Sequence, residues 1–147
     1  MMAAVAVAAV AAAAAMVAGR LPPARADGGG PAPPSSIVKE LMKRNLTAAS
    51  GLEIRMITVE YLPGGASLPH RHNAQVFVYV LEGAVRMQVE GHAPVTLGPG
   101  ETFYEGPEDI HTVSANASKT NPARILVFMI KEQGAPVSIA VPAAEHR

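Results

Sequence analysis

The chain has 147 residues, no cysteine, and twelve basic and twelve acidic side chains. This length allows one domain at most, and the lack of cysteine excludes disulfides, a thiolate nucleophile and a cysteine-based metal site. No polybasic or polyacidic run is present, which argues against nucleic acid or an anionic membrane surface as a partner. Thirteen glycines and thirteen prolines in a chain rich in valine and alanine favour short strands and turns over long helices.

The amino-terminal segment, residues 1–26, has the pattern of a cleavable secretory signal peptide. Residues 3–18 are almost purely alanine and valine, and the triplet ARA at 24–26 offers the small side chains that a signal peptidase requires. An uncleaved anchor or an added low-complexity tail stays open, because no lysine or arginine precedes the apolar run. We expect cleavage after Ala26, a periplasmic or secreted protein, and no stable membrane association after cleavage.

A flexible linker is predicted at residues 27–36 (DGGGPAPPSS), since a segment of glycine, proline and serine cannot bury apolar surface. The folded domain is then expected over residues 37–141, and residues 142–147 form a C-terminal tail. A domain of this size can hold a modest core without disulfides.

Within this domain the sequence indicates short strands separated by turns rich in glycine and proline. Residues 37–46 fit either a helix or a strand. The remaining patterns predict strands at 53–62, 75–81, 85–89, 95–97, 102–105, 110–113 and 124–130. Strands of this length and spacing are typical of an all-β sandwich or closed barrel. The side chains expected in the core or lining a pocket are Met56, Phe77, Met87 and Phe103.

The strongest chemical signal is a pair of histidines one residue apart, His70 and His72. On a β-strand both would point to the same side, because side chains alternate between the two faces. His111 can meet them only if the intervening chain folds back as further strands. Imidazole is a preferred ligand of zinc, iron, nickel and copper, so the spacing favours a metal site inside a β fold. The alternative is two exposed histidines in a loop, with His111 unrelated.

The segment around this pair resembles the first motif of the cupin superfamily, in which two glycines flank a His-x-His pair. The matching residues are Gly64, His70, His72 and Gly83. The second cupin motif is matched in register by Gly100 and His111, whereas Pro107 and Asn116 each lie one residue late.

This resemblance implies a single-domain double-stranded β-helix, a jelly-roll-like barrel, with a divalent transition metal (Fe, Mn, Ni or Zn) held by side chains of both motifs. The implied ligands are His70, His72 and His111. A small molecule is the implied ligand or substrate, and a homodimer formed through an edge strand or a sheet face is a further expectation.

One position departs from the family pattern. Val76 stands where the first cupin motif has an acidic ligand. The neighbouring Gln75 is a weaker alternative ligand, because strand alternation from Gly83 places it on the opposite face.

Glu105 is the candidate that replaces the missing ligand. If Phe103 faces the core, Glu105 does too, and an unpaired carboxylate there would be costly unless a metal held it ionised. The alternative is a carboxylate at the barrel mouth, either solvated or paired with Arg71 or Arg124. Glu105 is also the candidate catalytic group.

Two functions are compatible with this pattern. The first is a small exported metalloenzyme of dioxygenase, isomerase or lyase type that acts on a small polar organic molecule. The second is a non-catalytic module that binds a small ligand or holds a structural metal, since fold alone does not determine function.

Overall fold

A computed structural model describes residues 36–141 of the chain. The predicted signal peptide, its cleavage site, all of the linker except Ser36, and the C-terminal tail lie outside the described residues. Within the described range every regular element is a β-strand. This part of the chain accordingly holds no helix long and apolar enough to cross a membrane. The strands are β1 (Ser36–Asn45), β2 (Leu52–Tyr61), β3 (Ala66–Ser67), β4 (His70–Arg71), β5 (Ala74–Glu82), β6 (Val85–Val89), β7 (Val95–Leu97), β8 (Thr102–Glu105), β9 (His111–Asn116), β10 (Ala123–Glu132) and β11 (Ile139–Ala140).

The strands form two antiparallel sheets. One sheet has the order β1-β2-β10-β5-β8, and the other has the order β11-β4-β9-β6-β7, with β3 also paired to β9. Apart from the hairpins β1-β2 and β6-β7, neighbours in these sheets are not consecutive in the chain, as in a jelly roll, where the chain crosses repeatedly between sheets. The predicted all-β, jelly-roll-like fold is confirmed, and the stretch that fitted either a helix or a strand is β1.

The core lies on the inner faces of the sheets, where side chains alternate between buried and accessible. In β10 the buried residues are the odd-numbered ones, from Ala123 to Lys131. The adjacent strand β5 buries the even-numbered residues from Ala74 to Val80. Phe77, expected in the core or lining a pocket, is not a core residue, because its neighbours Val76 and Val78 take the inward positions and Phe77 is 45% exposed; it lines a pocket that it shares with Tyr104.

A β-bulge in β9 determines which of its residues face the interior. Val89 of β6 pairs with His111, whereas the preceding Gln88 pairs with Val113, so Thr112 has no partner in the ladder. An extra residue of this kind shifts the alternation of the strand by one position. His111 and Asn116 are consequently both buried although they lie an odd number of residues apart.

In addition to the apolar core, the barrel buries an ion pair formed by Lys131 and Glu53. Lys131 Nζ lies 2.8 Å from Glu53 Oε1, and both side chains are at most 1% exposed. Lys43 Nζ lies 3.2 Å from the other carboxylate oxygen, Oε2. This arrangement lowers the pKa of Glu53 to about 2, chiefly through the hydrogen bond from Lys131, against the opposing effect of burial.

Candidate metal centre

Three histidines from the two motif segments converge on one point of the barrel interior. His70 of β4 pairs directly with His111 of β9, and His72 follows immediately after β4. The three residues can each offer a nitrogen such that these atoms all lie within 4.8 Å of one another. The loop reading, in which the pair is exposed and His111 is unrelated, does not fit this arrangement.

Backbone carbonyls orient two of the three imidazoles. His70 Nδ1 lies 2.7 Å from the carbonyl oxygen of Leu68, and His72 Nδ1 lies 2.6 Å from that of Val137. A carbonyl oxygen can only accept a hydrogen bond, so each Nδ1 carries the proton and donates it. Each Nε2 therefore keeps its lone pair, which is the state that a metal ligand requires.

The third imidazole is held by an aromatic contact and lies next to a carboxylate. The ring of Phe103 stacks against that of His111, with centroids 5.8 Å apart and an angle of 27° between the planes. Glu105 Oε2 lies 3.0 Å from His111 Nδ1 and 3.6 Å from His72 Nε2. Glu105 is 2% exposed, and its ion-pair partners among the described residues are these two imidazoles rather than Arg71 or Arg124.

Several polar atoms of this group have no hydrogen-bond partner among the described residues. They are Glu105 Oε2 and both ring nitrogens of His111, whose 3.0 Å approach to the carboxylate lacks hydrogen-bond geometry. Buried polar atoms are almost always paired, and a bound ion is one recognised reason for an exception. One nitrogen from each of the three histidines, within 4.8 Å of one another, together with this carboxylate oxygen fits the ligands that a divalent transition metal prefers.

The site also shifts two acid–base equilibria. Burial acts to raise the pKa of Glu105, but the three imidazoles, His111 above all, lower it below the usual value for a glutamate. Burial lowers the pKa of His70, which its hydrogen bond to Leu68 only partly opposes. The shift of Glu105 favours an ionised carboxylate, and the shift of His70 favours a neutral imidazole at that position.

The remaining sequence candidates lie away from this group. Gln75 faces the outside of the barrel, where its side-chain oxygen accepts a hydrogen bond from Tyr104. Arg124 pairs with Glu82 at 2.5 Å on the surface. His92 lies in the turn after β6, with its Nδ1 3.2 Å from the carbonyl of Glu90.

The three imidazoles line a cavity of about 640 Å³ that lies between the two sheets. Its walls carry a hydroxyl cluster that the sequence analysis did not identify, formed by Tyr61, Ser67 and Ser114. Tyr61 Oη lies 2.5 Å from Ser114 Oγ and 3.3 Å from Ser67 Oγ. Ser67 and Ser114 are paired between β3 and β9, and the bulge at Thr112 turns Ser114 inward. No local sequence signal reports either feature.

Comparisons with known proteins agree with this geometry. The family described as "Cupin domain" matches residues 57–129 of the chain. No curated protein sequence matches the chain significantly. The fold is similar to that of oxalate oxidase in complex with the substrate analogue glycolate, at 26% identity and a TM-score of 0.59, over 78% of this chain and 59% of that one. The chain thus spans about three fifths of the length of that enzyme.

Two further solved structures share the fold. A DMSP lyase from Ruegeria pomeroyi DSS-3 is 22% identical with a TM-score of 0.52, over 60% of this chain and 43% of that one. A candidate mannose-6-phosphate isomerase from Ralstonia eutropha JMP134 is 23% identical with a TM-score of 0.53, over 73% of this chain and 94% of that one. At these identities the similarity concerns the fold alone.

Proposed function

The chain belongs to the cupin superfamily, and from this premise we propose that it is an exported metalloprotein that acts on a small organic molecule. It holds one divalent transition metal, Fe, Mn, Ni or Zn, through His70, His72 and His111. The observation that carries this proposal is the orientation of the imidazoles. Two of them donate Nδ1–H to backbone carbonyls, and both nitrogens of the third are buried without a hydrogen bond.

Glu105 completes the ligand set in this proposal. Its Oε2 is within 3.6 Å of His72 Nε2, a separation from which small side-chain movements would bring both atoms onto one ion. The competing role is that of a partner to His111, because Glu105 Oε2 is also 3.0 Å from His111 Nδ1. Carboxylates commonly orient metal-binding histidines in this way. Both roles require the carboxylate to be ionised.

A metal with an open coordination position can activate water, polarise a carbonyl group or bind dioxygen. The described residues contribute a cavity with mainly aliphatic walls and the hydroxyl cluster of Tyr61, Ser67 and Ser114 that lines it. Tyr61 stays protonated, because burial raises the pKa of its phenol, so that it acts as a hydrogen-bond donor. Oxygen chemistry of the dioxygenase type needs few further acid–base groups, whereas isomerase and lyase reactions require a proton to be moved by a side chain.

The alternative function is a non-catalytic module that binds a small ligand or keeps a structural metal. One observation favours it: the acid–base groups that line the described cavity are the three histidines, Glu105 and Tyr61. If Glu105 binds the metal, Tyr61 alone is left to move a proton, and its raised pKa makes it a poor base.

Metal content tests the proposal directly. We expect the mature protein, purified from its own host, to contain about one transition-metal ion per chain by elemental analysis, and His111→Ala to lose it. The matched control is His92→Ala, which removes a histidine from a surface turn and should leave metal content unchanged. Wild-type protein that stays metal-free after reconstitution with Fe²⁺, Mn²⁺, Ni²⁺ and Zn²⁺ would overturn the proposal.

Export and self-association are separate parts of the proposal. The expected leader predicts a mature N-terminus at Asp27, which N-terminal sequencing of the protein from a culture medium or periplasmic fraction would test.

A homodimer is supported by the outer face of the five-stranded sheet, where Phe77, Tyr79 and Tyr104 are each 45–49% exposed. Light scattering after size-exclusion chromatography should give twice the mass of the monomer. The double variant Phe77→Ser with Tyr104→Ser should give the mass of a single monomer.

A further inference from the structure

The cavity beside the imidazoles is apolar along most of its walls. Its aliphatic lining comes from both sheets, as Ile57, Val78, Met87, Ile125, Val127 and Val137. No lysine or arginine is found among the described residues that line it. A ligand that fills this space must therefore present mainly hydrocarbon to the walls.

The charge that the cavity can balance is small. A divalent ion beside one carboxylate, that of Glu105, leaves a net charge of one positive unit at the histidine end. One anionic head group would neutralise it. A second anionic group further along the cavity would meet only aliphatic side chains and hydroxyls, and an unpaired charge in such surroundings is strongly unfavourable.

The hydroxyl cluster offers a place for an uncharged polar group inside the cavity. Ser114 Oγ donates to the thioether sulfur of Met87 at 3.6 Å, so it accepts the proton of Tyr61 at 2.5 Å. Tyr61 in turn accepts from Ser67 at 3.3 Å. This series of hydrogen bonds thus ends at the thioether sulfur of Met87, which is a weak acceptor. A ligand oxygen would be a stronger acceptor for the hydroxyl of Ser114.

The hydroxyl cluster and the imidazoles lie at different places along the cavity. Because of the bulge at Thr112, Ser114 and His111 of β9 lie opposite Met87 and Val89 of β6, only two ladder positions apart, which corresponds to about 7 Å along the strand. An extended chain of about six heavy atoms spans such a separation.

We infer that the site takes a small amphiphile: a molecule with one anionic, metal-binding head, an apolar body, and an uncharged oxygen that accepts a hydrogen bond from Ser114. Dicarboxylates and sugar phosphates, which carry a second charged group or many hydroxyls, are excluded by the aliphatic walls. This inference rests on the proposed function, because the head group binds at the metal that His70, His72 and His111 hold.

Three probes of equal chain length test it by isothermal titration calorimetry: hexanoate, adipate and 6-hydroxyhexanoate. The protein is the mature chain loaded with Zn²⁺, with its metal content measured first. We expect hexanoate to bind roughly tenfold or more tightly than adipate, because adipate buries a second carboxylate. We expect 6-hydroxyhexanoate to bind more tightly than hexanoate by about fivefold, the usual worth of one hydrogen bond.

Two variants locate the contact. Ser114→Ala should remove the advantage of 6-hydroxyhexanoate and leave hexanoate within about twofold of its wild-type affinity. Ser138→Ala removes an exposed hydroxyl at the cavity rim and should change neither affinity. Circular dichroism and thermal melting of both variants verify that they are folded.

The outcomes separate this inference from the proposed function. Zn²⁺-loaded protein that binds adipate as tightly as hexanoate, or that binds none of the three probes, would overturn the inference and leave the metal site intact. A hydroxyl advantage that survives Ser114→Ala would overturn the assigned contact. Protein that takes up no metal would instead overturn the proposed function, and the inference with it.

Discussion

Glu105 lies directly across from Val76 in the antiparallel pairing of β8 with β5. Paired residues of this kind point to the same face, with Cβ atoms about 5 Å apart, and both side chains are almost fully buried. The position at which the cupin motif has its acidic ligand is thus occupied by valine, while the next strand provides a carboxylate at the same level of the barrel. The acidic group thus lies on β8, at the position paired with the motif position on β5.

This relationship predicts that the carboxylate can be moved back. We expect Glu105→Val to weaken metal binding about 10- to 100-fold, and the double variant Val76→Glu with Glu105→Val to recover most of that loss. The measurement is competition with a chelator of known affinity. As the control, Val78→Glu in the Glu105→Val background places a carboxylate one inward position further along β5, beside Phe103, and should not restore binding. Equal recovery by both double variants would show that the level of the carboxylate in the barrel is unimportant.

The strand pattern could be predicted closely from the sequence, because turns rich in glycine and proline limit where strands can run. The strands predicted at 85–89, 95–97 and 102–105 agree with β6, β7 and β8 to the residue. The two-residue strands β3, β4 and β11 were not predicted, since each owes its strand character only to its pairing partner. No local pattern marks such short segments.

The residues of the site likewise fall into those that could be predicted from the sequence and those that could not. His70 and His72 could be recognised because they share a local motif, and the phase argument from Phe103 placed Glu105 inside the barrel. The hydroxyl cluster could not be found, because Tyr61 and Ser114 are 53 residues apart and the bulge at Thr112 reverses the alternation expected for β9. Long-range pairing and a bulge are properties of the folded chain and leave no period in the sequence.

The motif glycine at position 83 has a steric role. A Cβ at Gly83 would lie 2.5 Å from the carbonyl oxygen of Pro122, and the residue has a φ of +71°. We expect Gly83→Ala to destabilise the protein by at least about 3 kcal/mol, since the clash is with backbone that cannot move aside. Gly91→Ala is the matched control, because its φ is +77° with nothing near the added Cβ, and should cost only about 1 kcal/mol. Urea unfolding of both variants measures the difference, and similar losses would contradict the steric explanation.

Asn116, the late residue of the second motif, closes the loop that follows β9. Its Nδ2 lies within hydrogen-bond distance of three carbonyl oxygens, those of Tyr61, Leu62 and Asn121, and its Oδ1 accepts from the amide of Ser118. Asn116→Asp keeps the shape but turns the donor into an anion facing those carbonyls. We expect a loss of about 3 kcal/mol in the free energy of unfolding at neutral pH. Asn121→Asp, in which only the exposed side chain changes, should stay within about 0.5 kcal/mol of wild type, and a comparable loss there would point to a general effect of added charge.

The buried pair of Glu53 and Lys131 predicts how stability depends on acid. The pKa of Glu53 is lowered from 4.5 to about 2 in the folded chain. A group with a depressed folded pKa stabilises the protein above its unfolded pKa, and this contribution is lost as the pH falls through the folded value. The melting temperature of the wild type should therefore fall between about pH 4.5 and pH 2.

The double variant Glu53→Gln with Lys131→Met lacks both charges and should show a flatter profile over that range. Calorimetry at half-unit pH intervals measures both curves. The comparison uses melting temperatures relative to each protein's own value at pH 6, so that a lower overall stability of the variant does not affect it. Parallel curves would place the acid sensitivity in other carboxylates.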